Sequence, residues 1–483
     1  MRFETLVLTL MLASCSSEEP TYSGCESEQQ SGDGVSYDPL SMGCVNITME
    51  PDDYEDLSNQ FRFSGEEDDQ WPELIAHAAL SCSEPFPSGY EYVYADIEVD
   101  GWQAHDVGIR KKGFIGSVVG AGDRPSLKIK TDEFVDGQEM GDTERITLNN
   151  NHQDVSRIRT CMAYSVFEDA GYPAPRCNLA NVSVNGSGLG TYTHVESIKK
   201  RFLRREFGND DGSLYEGSLA DFTDAHLAGL PDNLGRFEDK TSDTDPTGAG
   251  LRRVADALQV PDDELEAALV EVIDLDAFML FWALETVVNH NDGYNANINN
   301  FYVYFDPDNA DRAVLIPWGA DQALHDWDRV KVTSELARRI SRVPELQQRY
   351  LDEVQWVIDS VWDEEVLSER IELFEAQVAT AEGGVPYQAD SIEGLRGWVG
   401  DRRSAINDFI ADGGEFGAAE TSPCTGATDP LDFLLVAELV AVSGAGCAVA
   451  PHEPAGFFFA LLFLAARRRR SGLDTVRRGM RQL

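Results

Sequence analysis

Hydrophobic periodicity divides this chain into two territories, and no other feature limits its fold as much. Between residues 90 and 195 apolar side chains recur at every second position, the period of half-buried strands. After Pro261 they recur every three to four residues, the period of amphipathic helices. Residues 90–99 alternate through Tyr92, Tyr94 and Ile97, Asp100-Gly101 follows, and residues 102–110 alternate again. Asp-Gly between two such runs predicts a hairpin. Residues 126–130 and 145–148 read as further strands, and 178–184 with 189–195 as a second hairpin across Asn185-Gly186. Asp154 is placed to cap a helix reaching Ala170, stopped by Gly171 and Pro173, and 198–207 reads as a short basic helix. Helices follow over the stretch opened by Pro261, over 275–288, over 334–381 and over 394–410, interrupted by strands at 301–305 and 313–316. Strands first and helices later predict an α+β domain of two lobes, with an antiparallel β-rich N-terminal part and a mainly helical C-terminal part.

Composition excludes several classes. Asp and Glu number 85 against 39 Lys and Arg, a formal net charge of −46. A surface this acidic repels a phosphate backbone, which argues against any nucleic-acid partner and favours cations such as Mg²⁺ or Ca²⁺. Hydrophobic residues make up 42% of the chain, enough for a core and too many for wholesale disorder. No apolar run is long enough for a polytopic membrane protein.

Both ends read as processing signals. A charged start, an apolar run over 6–13 and Leu12-Ala13-Ser14-Cys15 have the form of a bacterial lipoprotein signal, residues 1–15, with Cys15 as the lipidated residue. At the other end Gly446-Cys447, an apolar stretch over 456–466 and Arg467 to Arg470 resemble a tripartite sorting tail of the MYXO-CTERM type, residues 447–470. Between them the composition predicts an acidic spacer over 16–75, a packed domain over 76–412 and a linker over 413–446. The expected location is therefore the cell envelope, outside the cytoplasm, with the membrane reached through the lipid, the tail or both. If Cys15 and Cys447 serve processing, six cysteines remain, an even number suited to an oxidising compartment. Cys161–Cys177 is the favoured pair, and Cys25 with Cys44 would close a small loop in the spacer.

Two segments carry chemistry. In the first, Asp292 follows a long apolar helix, Asn300 opens a strand, and Asp321 closes the next one. A hairpin of that length brings the three to one end. Two carboxylates and an amide oxygen suit Mg²⁺, and phosphoryl transfer needs this set: one carboxylate for the nucleophile, and Asp with Asn to hold metal on the phosphates. The second segment runs from Val107 through Arg110, Lys112, Gly113, Ser117, Gly120 and Gly122 to Arg124, Lys128 and Lys130. A glycine-bearing turn between strands lets backbone N–H groups approach phosphate, with a cation on the next strand. A plain surface hairpin has the same composition.

Four segments, in order, resemble the CotH kinase family of atypical secreted kinases: Gly108-Ile-Arg-Lys-Lys-Gly113 with Pro125-Ser-Leu-Lys-Ile-Lys130; Leu148-Asn-Asn-Asn-His-Gln-Asp154; Gly171-Tyr-Pro-Ala-Pro175 through to Glu196; and Asp292 to Tyr302 with Pro317-Trp318 and Asp321. The resemblance spans about residues 90 to 330. It implies a protein-kinase-like fold, ATP and Mg²⁺ as cofactors, and phosphorylation of Ser or Thr in secreted or envelope proteins. By position, Asp292 and Asp321 would be the catalytic carboxylates, Asp321 and Asn300 the metal ligands, and Arg110, Lys112 and Lys128 the nucleotide-binding cations. Gly319 departs from the family pattern, which often has Asp directly after Pro-Trp, and the loop after Gly113 keeps only Ser117 of its usual polar character. Two alternatives stand beside the kinase: a catalytically inactive surface-displayed binding protein or adhesin on the same fold, and a calcium-stabilised envelope protein.

Overall fold

The computed structural model describes residues 25, 34–62, 83–113, 124–241, 245–325, 330–380 and 387–417. The signal segment, the sorting tail, and the linker beyond Gly417 lie outside these residues. Seven strands close a barrel: β1 (Gly43–Thr48), β2 (Val93–Val99), β3 (Trp102–Lys112), β4 (Ser126–Lys130), β5 (Arg145–Asn149), β6 (Cys177–Val184) and β7 (Ser187–Val195), in the order β1-β2-β3-β4-β5-β7-β6. Neighbours are antiparallel except that β6 returns beside β1 in parallel. Alternate residues fill the interior, with Val45, Val107, Ile109, Ile129, Ile146, Leu148 and Val182 at 0% exposure. Both hairpin turns read from the sequence are present. Asp100 and Gly101 have φ of 49° and 80°, Asn185 and Gly186 of 51° and 78°, the left-handed pair that matches strand twist.

Residues 16–75 are not all spacer. Strand β1 and the Pro51–Ser58 helix fall inside that stretch, and β1 is the staple that shuts the barrel between β2 and β6. Its apolar content is only Val45 and Ile47, so acidic surroundings hid it from a compositional reading. The Cys25–Cys44 disulfide anchors the chain to this strand.

Against the barrel lies a second sheet in the order β11-β10-β8-β9, built from β8 (Ser213–Gly217), β9 (Phe237–Asp239), β10 (Phe301–Asp306) and β11 (Arg312–Pro317). The first two were not read from sequence. The rest is helical. Leu275–Val287 is mostly apolar and buried, and it packs on Pro344–Ser360, where Trp282 stacks on Tyr350 at 3.7 Å. Phe416 completes that stack, so the packed domain runs a few residues past 412 into the stretch read as linker. The molecule is thus α+β, with an antiparallel-rich N-terminal sheet and a helical C-terminal part. The Cys161–Cys177 disulfide is formed and ties the Arg159–Asp169 helix to β6. That helix begins five residues after Asp154, whose carboxylate instead holds the entry turn through Ser156 N at 3.0 Å and Arg159 N at 2.9 Å. Among the described residues no helix is long and apolar enough to cross a membrane.

Candidate functional site

The site forms where the Leu275–Val287 helix hands over to the β10–β11 hairpin. Arg402 fixes that helix end by donating to Val287 O at 2.7 Å and Thr286 O at 2.5 Å. The chain then turns through Asn289 (φ 51°), a residue type that tolerates the left-handed region, to Asp292.

Three amides hold the Asp292 carboxylate. Asn297 and Asn299 donate to Oδ1 at 2.6 and 3.2 Å, and Asn300 donates to Oδ2 at 2.6 Å. Burial raises the Asp292 pKa, while the three amides and the His290 charge pull the other way. Asn300 also reaches Asp292 O at 3.1 Å and Gly319 O at 3.4 Å, so it bridges the two hairpin ends.

Gly319 has φ +55°, and a Cβ there would lie 2.6 Å from Asn300 Oδ1. The departure at this position therefore has a local cause: any side chain would displace Asn300. The carboxylate instead comes from Asp321, on a short 3₁₀ turn two residues later. Its pKa is pushed up to about 7, first by burial and then by the charges of Asp292 and Asp154, with Lys112 opposing. The Asp292 charge thus reaches Asp321 and resists its ionisation.

The cations sit on the outer face of the barrel. Arg110 and Lys128 are direct partners across β3 and β4, on the face opposite Ile109 and Ile129. Lys112, two residues beyond Arg110, bonds Asn149 Oδ1 and lies 5.8 Å from the Trp318 ring centre. Burial lowers the Lys112 pKa to about 8, and Asp321 is the first charge that holds it up. Among the described residues, Lys112 and Asp321 therefore feel each other's charge without an ion pair between them. Lys128 is aimed elsewhere: burial lowers it to about 7, and its principal counter-charge is Glu216 on β8. Arg110 rests on the Tyr92 ring at 5.3 Å.

Sequence reasoning missed three members. Glu216 pairs with Lys240 at 2.6 Å and stays ionised despite its burial because Lys240 and Lys128 flank it. Glu285, 3% exposed in the last turn of the helix, accepts from Tyr294 N at 3.0 Å, Asn295 N at 2.9 Å and Asn295 Nδ2 at 2.8 Å, and so shapes the loop bearing Asp292. His290 lies between Glu285 Oε1 at 3.5 Å and Gly319 O at 3.3 Å. A Glu inside an otherwise apolar helix was the one available sequence signal.

A divalent cation fits the donors present. The Asp292 and Asp321 carboxylates are both half-buried at this end of the hairpin, and Asn300, its nitrogen committed to Asp292, keeps its Oδ1 for a ligand. Among the described residues no three His, Cys, Asp or Glu side chains gather to hold a metal, so the set is two carboxylates and an amide.

A model for the family described as CotH kinase protein matches residues 113–412. The match takes in the helices after residue 330 and begins just past Arg110 and Lys112. The chain is also 22% identical over 267 residues to inner spore coat protein H of Bacillus subtilis (strain 168), covering 51% of this chain and 71% of that protein.

Proposed function

Because the chain belongs to the CotH kinase protein family, we propose that it moves the terminal phosphoryl group of ATP onto a Ser or Thr hydroxyl of a secreted or envelope protein, in a two-lobed kinase-like arrangement. The observation that carries this reading is the half-buried Asp292 and Asp321 carboxylates at one hairpin end, with Asn300 tying Asp292 to Gly319 O and Lys112 as the first counter-charge of Asp321.

The roles follow from the contacts. Asp292 is clamped by three amides, so its orientation is fixed before any substrate arrives, and its raised proton affinity suits it to accept the hydroxyl proton. Asp321 and Asn300 would hold Mg²⁺, which when bound supplies positive charge against the phosphates. Lys112 adds a fixed cation on the opposite wall, with Arg110 and Lys128 further along the same face. In a chain of net charge −46, these local cations are what makes room for a polyanion. Two disulfides support an oxidising compartment, and lipidation at Cys15 with a processed C-terminal tail would keep the protein at the envelope.

The test is transfer of labelled γ-phosphate to an envelope extract, with Mg²⁺ or EDTA. The wild type and Asp306→Ala should transfer label in Mg²⁺ alone, and Asp292→Asn should lose about a hundredfold or more. Equal labelling by wild type and Asp292→Asn would end the kinase reading, and an absence of ATP binding would favour a binding protein on this fold.

A further inference from the structure

One end of the barrel carries positive charge that the phosphotransfer reading leaves unused. Arg157 stands just before the Arg159–Asp169 helix, 6% exposed, with φ +68°. Among the described residues its guanidinium has neither a hydrogen-bond acceptor nor an ion-pair partner. The charges that reach it are Arg124, which repels it, and Asp154, which attracts it. Asp154 is already committed to Ser156 N at 3.0 Å, Ser156 Oγ at 2.5 Å, Arg159 N at 2.9 Å and Arg159 Nε at 3.4 Å.

Arg124 is only partly used. It donates to Asn150 O at 3.2 Å and Thr191 O at 2.5 Å, and lies 4.6 Å from the Tyr192 ring centre. Its Nε is buried without an acceptor. So is Asn151 Nδ2, beside the Arg157 backbone: Thr193 Oγ1 joins Asn151 Oδ1 at 2.6 Å to Arg157 O at 3.4 Å. Two like charges close together, one on a residue only 6% exposed and one half-buried, with buried orphaned donors at Arg124 Nε and Asn151 Nδ2, are costly unless an anion completes the set. The planar guanidinium fork matches the oxygens of phosphate or carboxylate.

We propose that Arg124 and Arg157, with the Asn151 amide beside them, form an oxyanion-binding site at the end of the barrel. The site goes beyond the kinase reading, since none of its residues is assigned to ATP or metal there. Free inorganic phosphate and the phosphate of a larger molecule present the same chemistry.

The experiment is a thermal-melt and calorimetric titration of the full chain with sodium phosphate, sodium acetate and AMP, each against sodium chloride at equal ionic strength. Wild type and Asp321→Asn should show saturable, anion-dependent stabilisation. Arg157→Gln, which keeps bulk and loses charge, should bind at least about tenfold more weakly, and Arg157→Lys should fall between. Arg124→Gln is the second variant, with the same expected loss, should Arg157→Gln fail to fold. A response to phosphate alone assigns the site to phosphoryl groups, a response to acetate as well assigns it to oxyanions generally, and tighter binding of AMP assigns it to a larger molecule. No effect beyond chloride, or equal affinity in wild type and both glutamine variants, overturns the proposal. Retained phosphate binding in a protein that cannot transfer phosphate would sink the kinase reading and leave this one standing.

Discussion

Replacing Asp321 with Asn tests the electrostatics of the site while keeping its shape. In the fold this carboxyl is pushed up to about 7 from the ordinary 3.8. A tenfold change in proton affinity is worth about 1.4 kcal/mol, so this rise sets a ceiling of about 4 kcal/mol on what the ionised carboxylate costs the metal-free fold. Asp321 keeps part of its surface in water. Screening there brings the expected cost to about 2 kcal/mol. The sign follows from proton counting. The unfolded chain releases this proton near pH 3.8 and the folded chain near 7, so the fold carries the extra proton between those values and loses stability as pH rises through the window. Above about pH 7 the full cost is present, and below the unfolded value the substitution is neutral. Asp321→Asn should therefore melt a few degrees higher than wild type at about pH 8 in EDTA, and the difference should shrink toward zero near pH 4. Mg²⁺ should reverse the order, because only the wild type gains stability from the cation. Thermal melts at the two pH values, with and without Mg²⁺, read all of this. A variant that melts lower than wild type at pH 8 in EDTA would mean that the carboxylate is already compensated, and equal Mg²⁺ shifts in both proteins would remove the cation from Asp321.

Two other perturbations probe the frame of the site. Gly319→Ala places a methyl 2.6 Å from Asn300 Oδ1 at a backbone φ of +55°; it should cost about 1–3 kcal/mol and lower phosphate transfer, and unchanged melting with unchanged transfer would refute the close-approach argument. Cys161→Ser with Cys177→Ser opens a link spanning 16 residues and should cost about 3 kcal/mol in denaturant unfolding; peptide maps under non-reducing conditions showing both as free thiols would refute the link.

Much of the barrel was legible because strands announce themselves locally. The 126–130 strand and both left-handed turns depend on residues adjacent in sequence, where alternation and Asp-Gly or Asn-Gly leave little choice. The same holds for the long helices and for the Cys161–Cys177 link across one turn. Strand β1 was not legible, because its burial comes from β2 and β6, both distant in sequence, and not from its own composition. Strand β8 with Glu216 was missed likewise: its partners β9 and β10 are distant in sequence, and its role depends on Lys128 and Lys240 arriving from other segments.

The site divides along the same line. Sequence alone supplied Asp292, Asn300, Asp321 and the cations of the glycine-bearing strand pair, since chemistry restricts residue type. Only the tertiary structure decided which cation meets which acid. Lys112 has Asp321 as its first counter-charge, whereas Lys128 turns to Glu216, because that choice rests on how one sheet lies against another. It also gave Asn297 and Asn299 their purpose, and it turned Gly319 from an apparent lapse into the one residue that fits beside Asn300. Residue type is set by local chemistry and can be read in order along the chain. Which charges are stripped of water and set against each other is a property of packing, and it exists only once distant segments have met.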